Sequence, residues 1–296
     1  MKQASLKLLK YWMEERQRIY LAREAGNPFP WSTDKVFQSF RFCCVYREND
    51  KVTKWIRENW REPYADHPNL WFAMAVARQI NLPSTLEAIG FPDRWEPKRV
   101  LKIMRDLAAA GKKVYSGAYM LTAGGGNKGV DKPSITVDKI LTPLFEHAKK
   151  DPPPFILNSH TTLETAWDYF MEDHYGFGPF MSYEVVTDLR HTKYLRRAKD
   201  IQTWANPGPG ARRGLNYLYD RDVKAMPPRE QLISEMKEEL EWLKVNADRA
   251  LLPTLEMRDA EHVNCEVFKY IRVKKQLAAG TRATLDLFQP PEKRMF

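Results

Sequence analysis

Tyr175-Gly176-Phe177-Gly178-Pro179-Phe180-Met181-Ser182-Tyr183 is the stretch that decides the fold. Two glycines one apolar residue apart make a tight turn with positive φ angles. Helical patterning flanks the turn, over 161–174 and again over 179–191. Small Ser182 lets the second helix come close to the first. Backbone N–H groups at that second helix's N-terminus then point outward and can hold a phosphate. Such a contact reads no base, so it is neutral to sequence. Gly176, Gly178 and Phe180 are therefore candidate DNA-binding positions. A plain helix–helix turn would look the same, and one Gly-x-Gly alone is weak.

A second such turn lies at Ala205-Asn206-Pro207-Gly208-Pro209-Gly210-Ala211-Arg212-Arg213-Gly214-Leu215. Gly208 and Gly210 repeat the pattern, and Arg212 and Arg213 can pair with phosphate oxygens in bidentate fashion. Around these turns the chain is basic, with 47 Lys and Arg against 38 acids and a formal charge of +9. That balance suits a polyanionic partner. A membrane surface fits less well, because no basic amphipathic helix stands out.

The 296 residues fit one large domain or two lobes, since a domain holds roughly 100–200 residues. Hydrophobic residues at 43% and aromatics at 12% supply a sizeable core and exclude disorder as the dominant state. Cys43, Cys44 and Cys265 form no CxxC spacing, which argues against structural zinc and a disulfide framework. The expected compartment is reducing, hence cytoplasmic, or the cytoplasm of an infected host if the chain is viral. The first residues lack an apolar signal core, and no apolar run nears the ~20 residues of a membrane span.

The rest reads as all-α. Helical stretches are expected over 3–25, 67–82, 82–90 (capped by Ser84, stopped by Gly90), 97–111, 134–149, 229–249 and 256–272, and Trp31–Asp34 reads as a helix cap region before the aromatic- and arginine-rich 34–61. Gly124–Gly129 tips a long loop, and Asp151-Pro152-Pro153-Pro154 reads as a stiff connector. The expected organisation is an N-terminal helical lobe over 1–150 with the Gly-rich loop, a helix-hairpin-helix lobe over 151–280, and a tail over 281–296. The two lobes are expected to form one catalytic unit.

Apolar-GFGPF-small, followed by an acid, resembles the helix-hairpin-helix signature of DNA glycosylases. The resemblance implies a catalytic aspartate about twenty positions beyond the hairpin; Asp200 lies twenty-two beyond Gly178. Lyase-type members carry a lysine two positions after the second hairpin glycine. Phe180 stands there, so Schiff-base lyase chemistry is not expected. FRFCCVYRENDKVTKWIRENW, KVYSGAYML, GFGPFMSYEVVTDLRHT, NPGPGARRGL and RDAEHVNCEVFKY occur in that order over roughly residues 10–275. Together they resemble the α-glutamyl/putrescinyl thymine pyrophosphorylase family. Relatives of that family include the helical domain of 5-hydroxymethyluracil DNA kinases and amino acid:DNA transferases of bacterial viruses. The resemblance implies a substrate of 5-pyrophosphoryloxymethyl-deoxyuridine in DNA, on which an amino acid or polyamine replaces pyrophosphate. No GxxxxGK[ST] occurs, so a kinase acting upstream is expected to be a separate activity.

Such chemistry needs a flipped base, a proton acceptor and cations for the leaving group. Phe42, Tyr46, Tyr115 and Tyr119 are candidates to stack on the base, or else core. Asp200 is the first candidate to accept the amine's proton or to stabilise positive charge on the methylene; a helix cap before Ile201 is the alternative. Arg41, Arg47, Lys51, Lys128, Arg212 and Arg213 are candidates for pyrophosphate. Asp259, His262, Glu266 and Lys269 share one helical face, with Glu266 expected to hold Lys269 or the incoming amine. Glu266 and Lys269 join Asp200 as catalytic candidates. No metal ligand set is expected and no cofactor is required. Divalent metal assistance is compatible with the sequence but not indicated. The rival readings are a base-excising glycosylase and a non-catalytic DNA-binding module.

Overall fold

The computed structural model of the chain describes residues 3–117, 129–158, 160–283 and 287. The helices in chain order are α1 (Gln3–Glu24), α2 (Lys35–Ser39), α3 (Lys51–Ile56), α4 (Leu70–Ile80), α5 (Pro83–Ile89), α6 (Pro97–Ala109) and α7 (Lys132–Ser134). They continue with α8 (Thr142–Lys150), α9 (Pro154–Leu157), α10 (Leu163–Asp173), α11 (Pro179–Leu189), α12 (Pro209–Leu218), α13 (Arg229–Asn246) and α14 (Met257–Ala278). Two π-helical segments, Arg57–Arg61 and Ile135–Leu141, extend α3 and join α7 to α8. Among the described residues the regular structure is helical, apart from one isolated antiparallel bridge between Phe40 and Leu287. The all-α expectation therefore holds. No described helix is long and apolar enough to cross a membrane.

The chain divides into two compact units, one of Met1–Asp50 with Ile201–Phe296 and one of Lys51–Asp200. These limits differ from the lobes expected at 1–150 and 151–280. The reason is long-range packing that local patterns do not encode: α14 packs on α1, α12 and α13. The prolines at 152–154 lie inside the second unit.

In the second unit α4 is the central element, because its first eight residues, LWFAMAVA, are all apolar and every residue of the helix is buried, Arg78 and Gln79 included. Its C-cap, Asn81, takes the left-handed conformation at φ 51. α5 begins not at a Ser84 cap but at Pro83 in the first turn, preceded by Leu82; proline suits that position because its missing N–H has no helical partner there. Gly90 ends α5 at φ 76, as expected. Inside this unit Arg78 and Asp188 are both fully buried, tying α4 to α11 through Arg78 Nε–Asp188 Oδ2 at 2.6 Å and Nη2–Oδ1 at 2.7 Å.

In the first unit α12 lies tightly on α14. A Cβ at Gly214 would sit 2.2 Å from the Asn264 carbonyl oxygen, and one at Gly210 2.3 Å from Cys265 Sγ. Two glycines four apart thus form a flat helix face on which α14 rests. Gly214→Ala forces backbone apart, and a loss of about 1–3 kcal/mol is expected in urea denaturation, as for other overpacked interiors. A parent-like midpoint would show that the helices are not this close.

Nearby, Glu239 on α13 is fully buried and accepts from Asn264 Nδ2 at 2.5 Å. Burial, with Glu235 and Glu238 adding, pushes its carboxyl up to about 8 against the Asn264 bond. The folded chain keeps this proton to about pH 8, whereas the unfolded chain releases it near 4.5. Stability contributed at this position therefore falls as pH rises from 4.5 to about 8. Glu239→Gln should gain on the parent across that window, most at its alkaline end. Denaturation midpoints of both proteins at pH 5 and pH 8.5 check this; a constant difference contradicts it.

Candidate functional site

Segment 40–50 of the first unit forms a strap whose shape follows from its polar residues. Arg16 on α1 donates Nε to the Cys43 carbonyl at 3.0 Å and Nη2 to Cys44 Sγ at 3.1 Å. Asp50 closes the strap: Oδ1 accepts from the Cys44 N–H at 2.9 Å, and Oδ2 from Arg47 Nη1 at 3.2 Å. The Cys43 N–H donates to Glu266 Oε2 at 3.0 Å. That bond brings the strap onto the α14 face read from the sequence.

Glu266 is also bonded to Lys269, as expected from their spacing of three. Burial works against the charge of Lys269, but Glu266 and the thiols of Cys265 and Cys43 outweigh it and hold the ammonium above the ordinary lysine range. Burial lifts the Cys43 thiol well above its usual value, with Glu266 and Asp50 adding. Burial, with Arg258 and Arg47 beside it, holds the His262 imidazole down at about 4, against Glu266 and Asp50. His262 is therefore neutral at pH 7, and its buried Nε2 has no hydrogen-bond partner among the described residues. Cys43 Sγ, an Asp50 carboxylate oxygen and a His262 ring nitrogen all lie within 4.8 Å of one another. Burial and Asp259 push the Tyr46 hydroxyl up to about 12.

Of the residues read from the sequence, Tyr46, Arg47, Glu266 and Lys269 thus belong to one polar cluster. Arg213, exposed on α12, acts electrostatically on Cys265 of the same cluster. Arg212 on the same helix is half-buried. Arg41 is exposed at the start of the strap. Phe42 belongs to an aromatic core group with Trp12, Phe37 and Tyr270. Tyr119, Lys128 and the Gly-rich tip fall outside the described residues. Cys43, Asp50, His262 and Arg258 complete the cluster, and of these only His262 was read as part of the α14 face. A signal for Asp50 was present in the sequence: Arg47-x-x-Asp50 is an ion-pair spacing on a tight turn.

The second Gly-x-Gly turn is corrected by the geometry. Gly208 has φ −65 and begins α12, so the positive φ expected there is absent. Its N–H donates to Glu261 Oε1 at 3.3 Å, and Gly210 serves the α12–α14 contact.

The first turn, in the second unit, keeps more of its expected form. α10 and α11 flank it. Gly176 has φ 83, and a Cβ there would lie 2.5 Å from Ile140 Cδ1, so only glycine fits. Gly178, at φ −72, is the N-cap of α11 rather than a second left-handed residue. Ser182 is fully buried and donates Oγ to the Phe177 carbonyl at 3.0 Å, which ties the first turn of α11 back to the connecting turn. Tyr175 and Phe180 are exposed, at 52% and 51%.

Asp200 belongs to this second unit. Oδ1 accepts from the Leu163 N–H at 2.7 Å and Oδ2 from the Glu164 N–H at 3.0 Å. It therefore caps the start of α10, together with Thr162, and not a helix before Ile201. Asp200→Ala removes acceptors from a helix N-terminus, so a stability loss of about 0.5–2 kcal/mol is expected. Asp200→Asn, which keeps an acceptor, should recover part of it. Thermal unfolding of the pair checks the assignment, and equal losses would contradict it.

The sequence pattern of the family described as "5-hmdU DNA kinase, helical domain" matches residues 3–280. The chain belongs to that family. A 5-hmdU DNA kinase of Bacillus phage SP10 is 27% identical over 229 residues, covering 70% of this chain and 35% of the relative. The chain thus spans about a third of the length of that curated relative. No solved structure matches.

Proposed function

We propose that the chain takes part in thymidine hypermodification in DNA, as a transferase. On this reading a free amino acid or polyamine replaces pyrophosphate on the 5-methylene carbon of 5-pyrophosphoryloxymethyl-deoxyuridine. A C–N bond forms and the C–O bond to pyrophosphate breaks. The proton lost by the amine leaves on the pyrophosphate, and no glycosidic bond is cut.

The observation that carries this reading is the polar cluster on α14. A departing pyrophosphate needs fixed cations more than it needs a nucleophile from the protein. Lys269, held charged by Glu266, and Arg47, held by Asp50, are pre-set for that task, and Arg213 adds exposed positive charge beside Cys265. Tyr46 supplies an aromatic face for the base. Gly176, Gly178 and Phe180 are the proposed backbone-reading turn, with the first N–H groups of α11 as phosphate donors. Arg196, Arg197 and Lys199, exposed in the same unit, add positive charge suited to a polyanionic partner. Asp200, both of whose oxygens already accept backbone N–H groups at the start of α10, is poorly suited to take up the amine's proton. The helix-hairpin-helix glycosylase-like architecture belongs to this same reading, supported by the α10–turn–α11 geometry.

The test is release of pyrophosphate from pyrophosphorylated DNA on addition of amine. Release that depends on the amine is expected, and none with any amine tried would defeat the transferase reading. The family's description, a helical domain of a DNA kinase, favours a second reading, a non-catalytic DNA-binding module of a base-modification pathway. It predicts salt-sensitive binding of modified DNA with no release of pyrophosphate.

A further inference from the structure

We propose that Cys43, Asp50 and His262 form a binding site for one divalent transition-metal ion of the zinc class. Their ligand atoms lie within 4.8 Å of one another. A tetrahedral ion with bonds of about 2.0–2.3 Å needs donors ~3.3–3.8 Å apart, so the trio closes by about 1 Å around it. Thiolate, imidazole and carboxylate together select zinc, cobalt or iron over magnesium or calcium, which take oxygen donors.

Neighbouring bonds fix the backbone of Cys43 and the carboxylate of Asp50. The Glu266 carboxylate holds the Cys43 N–H, and the Cys44 N–H and Arg47 fix the two Asp50 oxygens. Such outer bonds set ligand orientation before an ion arrives. The third ligand carries an unmet demand, because the buried Nε2 of His262 has no partner among the described residues. All three residues are partly exposed, so an ion has a way in. Arg47 and Arg258 face His262 together with Asp50 and Glu266, and Lys269 faces Cys43. With Cys43 ionised, three cations and three anions cancel. A bound dication then leaves a positive centre with a fourth position open, as in three-ligand catalytic sites. That position favours an anionic oxygen. If the transferase reading holds, the oxygen is one of pyrophosphate, but the metal site stands on the ligand geometry alone.

Cobalt(II) added to metal-free protein is the probe. A thiolate-to-cobalt charge-transfer band in the near ultraviolet is expected, with visible bands of a four-coordinate ion and about one ion bound per chain. The double variant Cys44→Ser/Cys265→Ser leaves Cys43 in place and should keep the band. Cys43→Ser should lose it, with its helical circular dichroism unchanged, and His262→Gln should weaken cobalt binding at least about tenfold. No thiolate band in the parent, or a band lost in the double variant, overturns the proposal. If Cys43→Ser fails to fold, the double variant still decides. Pyrophosphate release is read separately, so failure of the metal site and failure of the transferase reading are distinguishable.

Discussion

Lys269→Met is expected to lower amine transfer by about 10²–10³-fold, the size of effect seen when one pre-set donor to developing negative charge is removed. DNA binding should stay near the parent value, because Lys269 is half-buried on α14 and paired with Glu266. The variant also strands a nearly fully buried carboxylate, so it should unfold at a lower temperature. The double variant Lys269→Met/Glu266→Gln removes the stranded charge. It should recover stability without recovering transfer. That divergence separates a part in the chemistry from a part in the fold. Transfer restored along with stability would show that Lys269 acts only as scaffold. Lys269→Arg keeps a cation and should fall between the two.

The largest stability effect is expected at Arg78 and Asp188. Both side chains have zero exposure, and their bidentate pair is joined by Thr53 at 3.0 Å and by Arg61 3.7 Å from Asp188. Removing one partner leaves a charge in a dry interior. Asp188→Ala should therefore cost about 3–5 kcal/mol in urea denaturation. Replacing both, as Arg78→Met/Asp188→Leu, should recover part of that loss, since the Arg78 charge goes with its partner while Arg61 still loses Asp188. A loss below about 1 kcal/mol in the single variant would mean that the pair is solvated.

Local signals were the legible ones. The hairpin at 175–182 follows from a left-handed glycine and a small residue in the first turn of the next helix, both short-range requirements. Glu266 and Lys269 follow from spacing on one helix. What brings the strap to α14 was not legible. The Cys43 N–H reaches Glu266 across more than two hundred residues, and no period in the sequence encodes that. The Arg78–Asp188 pair was hidden for the same reason: each charge alone reads as surface. The Gly208-x-Gly210 turn misled because Gly-x-Gly is read as a loop signal. The informative spacing there was Gly210-x-x-x-Gly214, which marks a flat helix face. The boundaries of the two units escaped because the first unit is assembled from both ends of the chain.

The most direct test of the central claim uses DNA carrying 5-pyrophosphoryloxymethyl-deoxyuridine and nitrogen-labelled amines, digested to nucleosides for mass spectrometry. The account predicts a deoxyuridine bearing the labelled nitrogen on its 5-methylene, with every glycosidic bond intact. Abasic sites in place of that nucleoside, or DNA returned unchanged with every amine, would contradict it.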